Sequence, residues 1–194
     1  QVSGVTVDDG NGGANYSVSY VNNTASTITP APLSIQGLVV ADKTYDRTDA
    51  ASFVTTGSVT ALGSDTVSLN ASAAMVSFTD YRAGQNRPLA ISGFALSGTD
   101  AANYQLQQPS GQTAHIAQRD LVVSGLSASN RTYDGTAVAS LTGTAAVSAV
   151  AGDTVQLNGT ATASFLNKNA GQGKTVNVTG LSLSGADAAN YRLV

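Results

Sequence analysis

The side chains that could carry chemistry in this 194-residue chain are twelve acids, all of them aspartate, and a single histidine. Three aspartates return in a second near-copy: Asp46 as Asp134, Asp65 as Asp153, and Asp100 as Asp187. Paired carboxylates held about 5–9.5 Å apart around a sugar can hydrolyse a glycoside. Each of these aspartates instead sits beside Gly, Ser, Thr or Asn in a turn-like stretch. There an aspartate serves as a cap or an Asx turn, accepting backbone N–H groups. A hydrolase would also need its active site duplicated in consecutive copies. A structural role is the better expectation for all six.

His115 lies in Thr113-Ala114-His115-Ile116-Ala117 and has no counterpart in the other copies. A Ser-His-acid triad needs its base held by a third group, and nothing in the sequence supplies one. A partly exposed strand histidine is expected. The chain has no cysteine, which excludes a disulfide framework, a thiolate nucleophile and a cysteine zinc site. Asp8-Asp9-Gly10-Asn11-Gly12-Gly13 is oxygen-rich enough to attract calcium, but it lacks EF-hand spacing and the Gly-Gly-x-Gly-x-Asp repeat, so a plain loop is expected. No lysine recurs in register: Lys43 becomes Arg131, and Lys174 stands where Arg87 stood. A shared Lys–Asn crosslink is therefore not expected. Tyr81, Arg82 and Arg87 could contact a sugar or a protein. Their replacement by Lys168, Asn169 and Lys174 points to scattered surface side chains. No catalytic, cofactor or metal site is assigned, and the chain is not expected to be an enzyme.

What must position these residues is a sheet. Charged residues make up 11% of the chain, and the bulk is Ser, Thr, Ala, Val, Gly and Asn. Thr and Val are stiff at χ1, and Ser, Asn and Asp compete with the helical backbone for hydrogen bonds. An all-β fold follows. The net charge of −3 comes without a basic stripe, so neither nucleic acid nor a basic membrane-surface helix is indicated. No apolar run reaches the roughly 18 residues of a spanning helix.

The strongest signal is internal repetition. Lys43-Thr44-Tyr45-Asp46-Arg47-Thr48 returns as Arg131-Thr132-Tyr133-Asp134-Gly135-Thr136, and Asp65-Thr66-Val67 returns as Asp153-Thr154-Val155 at the same offset. Asp100-Ala101-Ala102-Asn103-Tyr104 returns as Asp187-Ala188-Ala189-Asn190-Tyr191, one residue closer. One residue is thus lost between Leu157 and Phe165. A slip within a strand would flip its side chains, so the loss is predicted to fall in a loop or bulge. Gly13-Ala14-Asn15-Tyr16 is a third echo. Residues 1–31 therefore read as the tail strands of a preceding module, 32–118 as a complete module, and 119–194 as a second module lacking its last strand.

Within a module, short apolar alternations separated by turns predict an immunoglobulin-like antiparallel β-sandwich. Strands are predicted at 33–35, 38–40, 53–56, 66–70, 75–78, 89–92, 94–97, 104–107 and 113–116. Tyr45 to Thr48 is predicted to be a turn. Asp100 is predicted to cap a single helical turn before Tyr104, whose hydroxyl should bond upstream backbone as in a tyrosine corner; Asp187, Asn190 and Tyr191 repeat the pattern. The structural residues are accordingly Tyr45, Asp46, Asp65, Asp100, Asn103, Tyr104, Tyr133, Asp134, Asp153, Asp187, Asn190 and Tyr191. Each module is expected to close its own core. The second, with fewer aromatics, is expected to be the less stable.

Tyr133-Asp134-Gly135-Thr136, followed by Gly-Asp-Thr-Val, Ala-Ser-Phe, Asn-Ala-Gly and Leu-Ser-Gly-Ala-Asp-Ala-Ala-Asn-Tyr, resembles the YDG repeat family. Related MBG repeats occur with it in filamentous-haemagglutinin-like bacterial surface proteins, many exported by two-partner secretion. The resemblance covers residues 43–106 and 131–193, and Thr27-Ile28-Thr29-Pro30-Ala31-Pro32-Leu33 is similar to the family's junctions. Arg47 departs from the pattern, which has glycine there, and so puts the turn type in question. The resemblance implies a stalk of a secreted adhesin, projecting an adhesive region in attachment or biofilm formation, with neighbouring repeats as partners. The alternative is direct binding of an extracellular polysaccharide or a host surface protein. If the second module needs a last strand, the tail of another molecule could supply it by strand exchange.

Overall fold

The computed structural model describes residues 4–22 and 24–194. The fold is all-β, and among the described residues the only helical pieces are two single 3-10 turns. The first repeat runs through β1 (Ala31–Ser34), β2 (Gln36–Val40), β3 (Lys43–Thr44), β4 (Phe53–Ser58), β5 (Ser68–Asn70), β6 (Met75–Phe78), β7 (Gly84–Ser92) and β8 (Ala95–Ser97). A 3-10 turn (Ala101–Asn103) then leads into β9 (Tyr104–Gln107) and β10 (Thr113–Ala117). The second repeat follows with β11 (Arg119–Leu121), β12 (Ser124–Ala128), β13 (Val138–Ala139), β14 (Leu141–Ala146), β15 (Gln156–Phe165) and β16 (Val176–Ser184). It ends with a 3-10 turn (Ala188–Asn190) and β17 (Tyr191–Leu193).

Strands are short and lie in several small sheets, the largest ordered β3-β10-β7-β6. Pairing is not purely antiparallel, as the alternation had suggested. β1 runs parallel to β9, β3 to β10, and β11 to β17. The opening strand of each repeat lies beside a strand that comes more than 70 residues later, and a long excursion of that kind is what permits parallel pairing.

The missing residue falls where a slip does least harm. In the first repeat, Asn70 pairs with Ala95 and Met75 with Ser92, and a turn closed by Ala74 N–H on Ala71 O (3.0 Å) separates the two ladders. In the second, Asn158 pairs with Ser182 and Thr162 with Thr179. Four linking residues have become three, the ladder shifts register between Gly159 and Thr162, and β5 and β6 have fused into the single strand β15. The inward-facing pattern downstream survives because the bulge absorbs the slip.

Residues 4–30 form no strand among those described. Their counterparts in the first repeat, β9 and β10, are held by β1, β7 and β3. The 194 residues expose 12726 Å², against about 8,500 Å² for a compact monomer of this mass. The almost wholly exposed residues 4–30 supply much of the difference.

Burial is uneven. Leu33, Phe94 and Tyr104 are buried at one end of the first repeat, where Phe53 and Phe94 meet edge to face at 5.6 Å. At the other end Tyr45, Phe78, Ala114 and Ile116 form one cluster with Leu121 and Tyr191 of the second repeat. Where each repeat was expected to close its own core, the largest buried cluster straddles the junction. The cause is local: β10 passes into β11 through Gln118 alone, too short a link to let the two ends part.

Candidate functional site: the junction between the repeats

Each repeat carries a tyrosine corner of the same construction. In the first, Leu62 N–H donates to the Tyr104 hydroxyl (2.9 Å), which donates to Asp65 Oδ2 (2.7 Å). In the second, Val150 N–H donates to the Tyr191 hydroxyl (2.8 Å), which donates to Asp153 Oδ2 (2.6 Å). The upstream backbone bond predicted for these tyrosines is present in both, and the aspartate acceptor is an addition to it. Asp100 and Asp187 each start a 3-10 turn, but neither caps it with its side chain. Their carboxylates reach across to Thr66 N–H and Thr154 N–H, both at 2.8 Å. A single 3-10 turn leaves few donors to cap, and the facing strand end offers a better-aligned one. The approach is close: a Cβ on Gly98 or Gly185, at φ +113° and +110°, would collide with Thr66 O or Thr154 O. Glycine is therefore required at both positions.

The two corners differ in what sits on them. The first is open to solvent, with Asp65 and Asn103 exposed. The second is covered by the far end of the first repeat. Tyr45 donates its hydroxyl to Asp153 Oδ2 (2.8 Å), the oxygen that also receives Tyr191. Arg47 places Nε 3.1 Å from Asp153 Oδ1 and donates from its terminal nitrogen to Ala151 O (2.7 Å). Ala83 N–H donates to Asn190 Oδ1 (3.0 Å), and the Gln118 amide donates to Ala189 O (2.9 Å). Docking leaves the Asp153 side chain fully buried and Asn190 only 3% exposed. A buried carboxylate is costly unless it is paired and hydrogen-bonded. Here two phenols donate to Oδ2 and the Arg47 guanidinium pairs with Oδ1, which receives no hydrogen bond among the described residues.

The electrostatics follow from this arrangement. Burial, then the bond to Asp153 and its charge, raise the Tyr45 phenol far above its ordinary value. The same causes push Tyr191 up to about 12. Tyr104 is raised chiefly by its bond to Asp65. All three are held as neutral donors.

Arg47 explains how the junction is aimed. It stands at φ +67°, where the second copy has Gly135 at φ +81°. The turn is thus the same in both copies, which settles the question raised by the arginine. Asp46 and Asp134 each close it by accepting from the threonine two residues on, both at 2.9 Å. A non-glycine residue in the left-handed region stores roughly 1–2 kcal/mol of strain. That strain is held where Arg47 contacts the next repeat, as strained residues often are. Gly152 gives it room, since a Cβ there would overlap the guanidinium.

Other singled-out residues find simpler uses. Tyr81 packs on Tyr45 with ring centroids 6.4 Å apart, and Arg82 lies 5.6 Å over Tyr81. Arg87 pairs with Asp80 (3.2 Å) and donates to Ala83 O (2.6 Å). His115 is half-buried, and its backbone N–H donates to Asp42 (2.6 Å). The Asp9 carboxylate accepts from Asn11 N–H and Gly13 N–H, both at 2.9 Å, and closes a loop on itself. Of the counterparts of Tyr45 and Asp46, Tyr133 is 60% exposed and Asp134 pairs with Arg131 (2.7 Å).

Sequence reasoning named Tyr45, Asp153, Asn190 and Tyr191 one by one and did not join them. It missed Arg47 and Gly152 as junction residues. The usable signal was the departure at Arg47 itself, a long cation in a position that favours glycine.

The YDG domain family matches residues 29–113 and again 117–194. The chain belongs to that family. Comparison with curated proteins and with solved structures returned no match. The tyrosine and aspartate of the Tyr-Asp-Gly signature thus have distinct tasks in the first YDG repeat: the aspartate folds the turn and the tyrosine reaches the next repeat.

Proposed function

We propose that this pair of YDG repeats is a load-carrying spacer of a secreted bacterial surface adhesin, built from tandem immunoglobulin-like β-sandwiches that project an adhesive region from the cell. The observation that carries the reading is the junction itself. Tyr45, Asp153 and Tyr191 converge on one carboxylate, and these residue types are part of what the repeat repeats. A chain whose repeated residues serve to lock one copy onto the next is suited to transmitting orientation. The sandwich reading draws support from the two tyrosine corners and from the short strands with frequent turns.

The engagement of Tyr81 and Arg87, the side chains a sugar- or protein-binding module would present, in contacts within the chain also favours a spacer. Small-angle scattering tests the proposal: an extended particle of constant maximum dimension across salt and concentration is expected. A glycan array or extracellular-matrix pull-down with saturable, specific capture by the repeats would replace the spacer with a binding module.

A further inference from the structure

Two cations of the first repeat each close a loop. Lys43 places Nζ 2.6 Å from Asp46 Oδ1 and donates to Thr48 Oγ1 (2.8 Å), Thr48 O (3.1 Å) and Ala50 O (3.2 Å). It thereby spans the turn that carries Tyr45 and Arg47. Arg87 donates to Asp80 Oδ2 (3.2 Å) and to Ala83 O (2.6 Å), and so spans the link between β6 and β7 that carries Tyr81 and Ala83. Gly84 permits this return, because a Cβ there would lie 2.6 Å from the guanidinium.

The second repeat keeps both cations and exchanges their types. Arg131 stands for Lys43 and donates to Asp134 Oδ2 (2.7 Å), Thr136 Oγ1 (2.9 Å) and Thr136 O. Lys174 stands for Arg87 and donates to Asn169 O (2.8 Å) and to Asn167, the counterpart of Asp80. Asp80 and Asn167 each also accept the N–H two residues on, at 3.0 and 3.1 Å. Carbonyl and carboxylate oxygens accept from an ammonium as they do from a guanidinium. Each loop therefore needs a cation and works with either kind.

We propose that Lys43 and Arg87 are positioning residues of the junction, each fixing a loop whose other groups make the contacts with the second repeat. The turn held by Lys43 delivers the Tyr45 hydroxyl and the Arg47 guanidinium to Asp153. The link held by Arg87 presents Ala83 N–H to Asn190 (3.0 Å) and lays Tyr81 against Tyr45. Among the described residues, the hydrogen-bond and ion-pair partners of both cations lie in the first repeat. They act through the loops they close. Loops already held by charge-assisted bonds spare the junction the cost of ordering them on docking. The proposal rests on the reading of the junction as a lock between repeats.

The test is the distance distribution between nitroxides at Met75→Cys and Ser182→Cys, exposed positions on β6 and β16. The otherwise native chain is expected to give one narrow distribution. So are Lys43→Arg and Arg87→Lys, which adopt the cations of the second repeat. Lys43→Met and Arg87→Met are expected to broaden it while circular dichroism stays native, and Arg87→Met reads its own clamp should Lys43→Met fail to fold. Arg131→Met removes the equivalent clamp from a turn whose tyrosine is exposed. It is expected to lower the melting temperature without broadening the distribution. Unchanged widths in Lys43→Met and Arg87→Met, beside a narrow native distribution, overturn this proposal alone. Equal broadening by Arg131→Met also overturns it, by assigning the effect to stability. A distribution already broad in the otherwise native chain overturns the lock along with the proposal.

Discussion

Tyr45 and Tyr191 come from different repeats, meet edge to face with ring centroids 5.4 Å apart, and give their hydroxyl protons to the same oxygen of Asp153. One carboxylate therefore finishes the corner of its own repeat and receives the end of the preceding one. The geometry makes the junction part of the folded core, and its consequences are measurable because the chain contains an undocked copy of the same corner.

Asp153→Ala should destabilise more than Asp65→Ala. The first leaves two buried hydroxyls without their acceptor and removes the partner of Arg47, at a cost of about 3 kcal/mol. The second affects an exposed carboxylate and costs about 1 kcal/mol. Urea denaturation of both variants gives the comparison. Equal losses would show that docking adds nothing to the corner.

The two signature tyrosines should respond differently to removal of the hydroxyl. Tyr45→Phe leaves Asp153 short of a donor and is expected to cost about 1 kcal/mol. Tyr133→Phe, at an exposed position, should change stability by less than about 0.5 kcal/mol. Thermal melts of the two variants separate them.

Arg47→Gly should be less damaging than Arg47→Ala. Both lose the contacts to Asp153 and Ala151, but glycine relaxes the left-handed backbone and alanine retains the strain, a difference of about 1 kcal/mol. If alanine were the milder change, the turn would not be the source of the strain.

Alkaline pH should loosen the junction. Tyr191 is raised in the folded chain from 10.0 to about 12, so folding favours its protonated form. That contribution is complete below pH 10 and is lost as pH rises through 12. Melting temperature followed across that range should fall, and the fall should be shallower in Tyr191→Phe. Parallel curves for the two proteins would assign the alkaline loss to other groups.

Much of this fold was legible from residue types. β-branched and turn-forming residues foretold strands, and those predicted at Phe53, Met75 and Tyr104 begin at those residues. The repeated Asp-Ala-Ala-Asn-Tyr revealed the corner because its parts are close in sequence. The lost residue could be confined to a bulge because register leaves no other harmless place for it. The junction was not legible. Tyr45 and Asp153 are 108 residues apart, and each copy shows a local purpose that satisfies the eye: a turn for one, a strand end for the other. The parallel pairs were missed for a related reason, since alternation reports which face a residue occupies and not the direction of the neighbouring strand. Asp100 was misjudged because an aspartate before a helical turn has the signature of a cap, and only the fold brings Thr66 near enough to compete.

The central claim, that one repeat is locked onto the next through Asp153, is tested most directly by the distance between two nitroxide labels placed across the junction. The absence of cysteine allows labels at Val54→Cys and Val138→Cys alone, both at exposed positions. A locked junction gives a single narrow distance distribution that broadens when Tyr45→Ala and Arg47→Ala are introduced together. A distribution already broad in the otherwise native chain, and unchanged by those substitutions, would contradict the account.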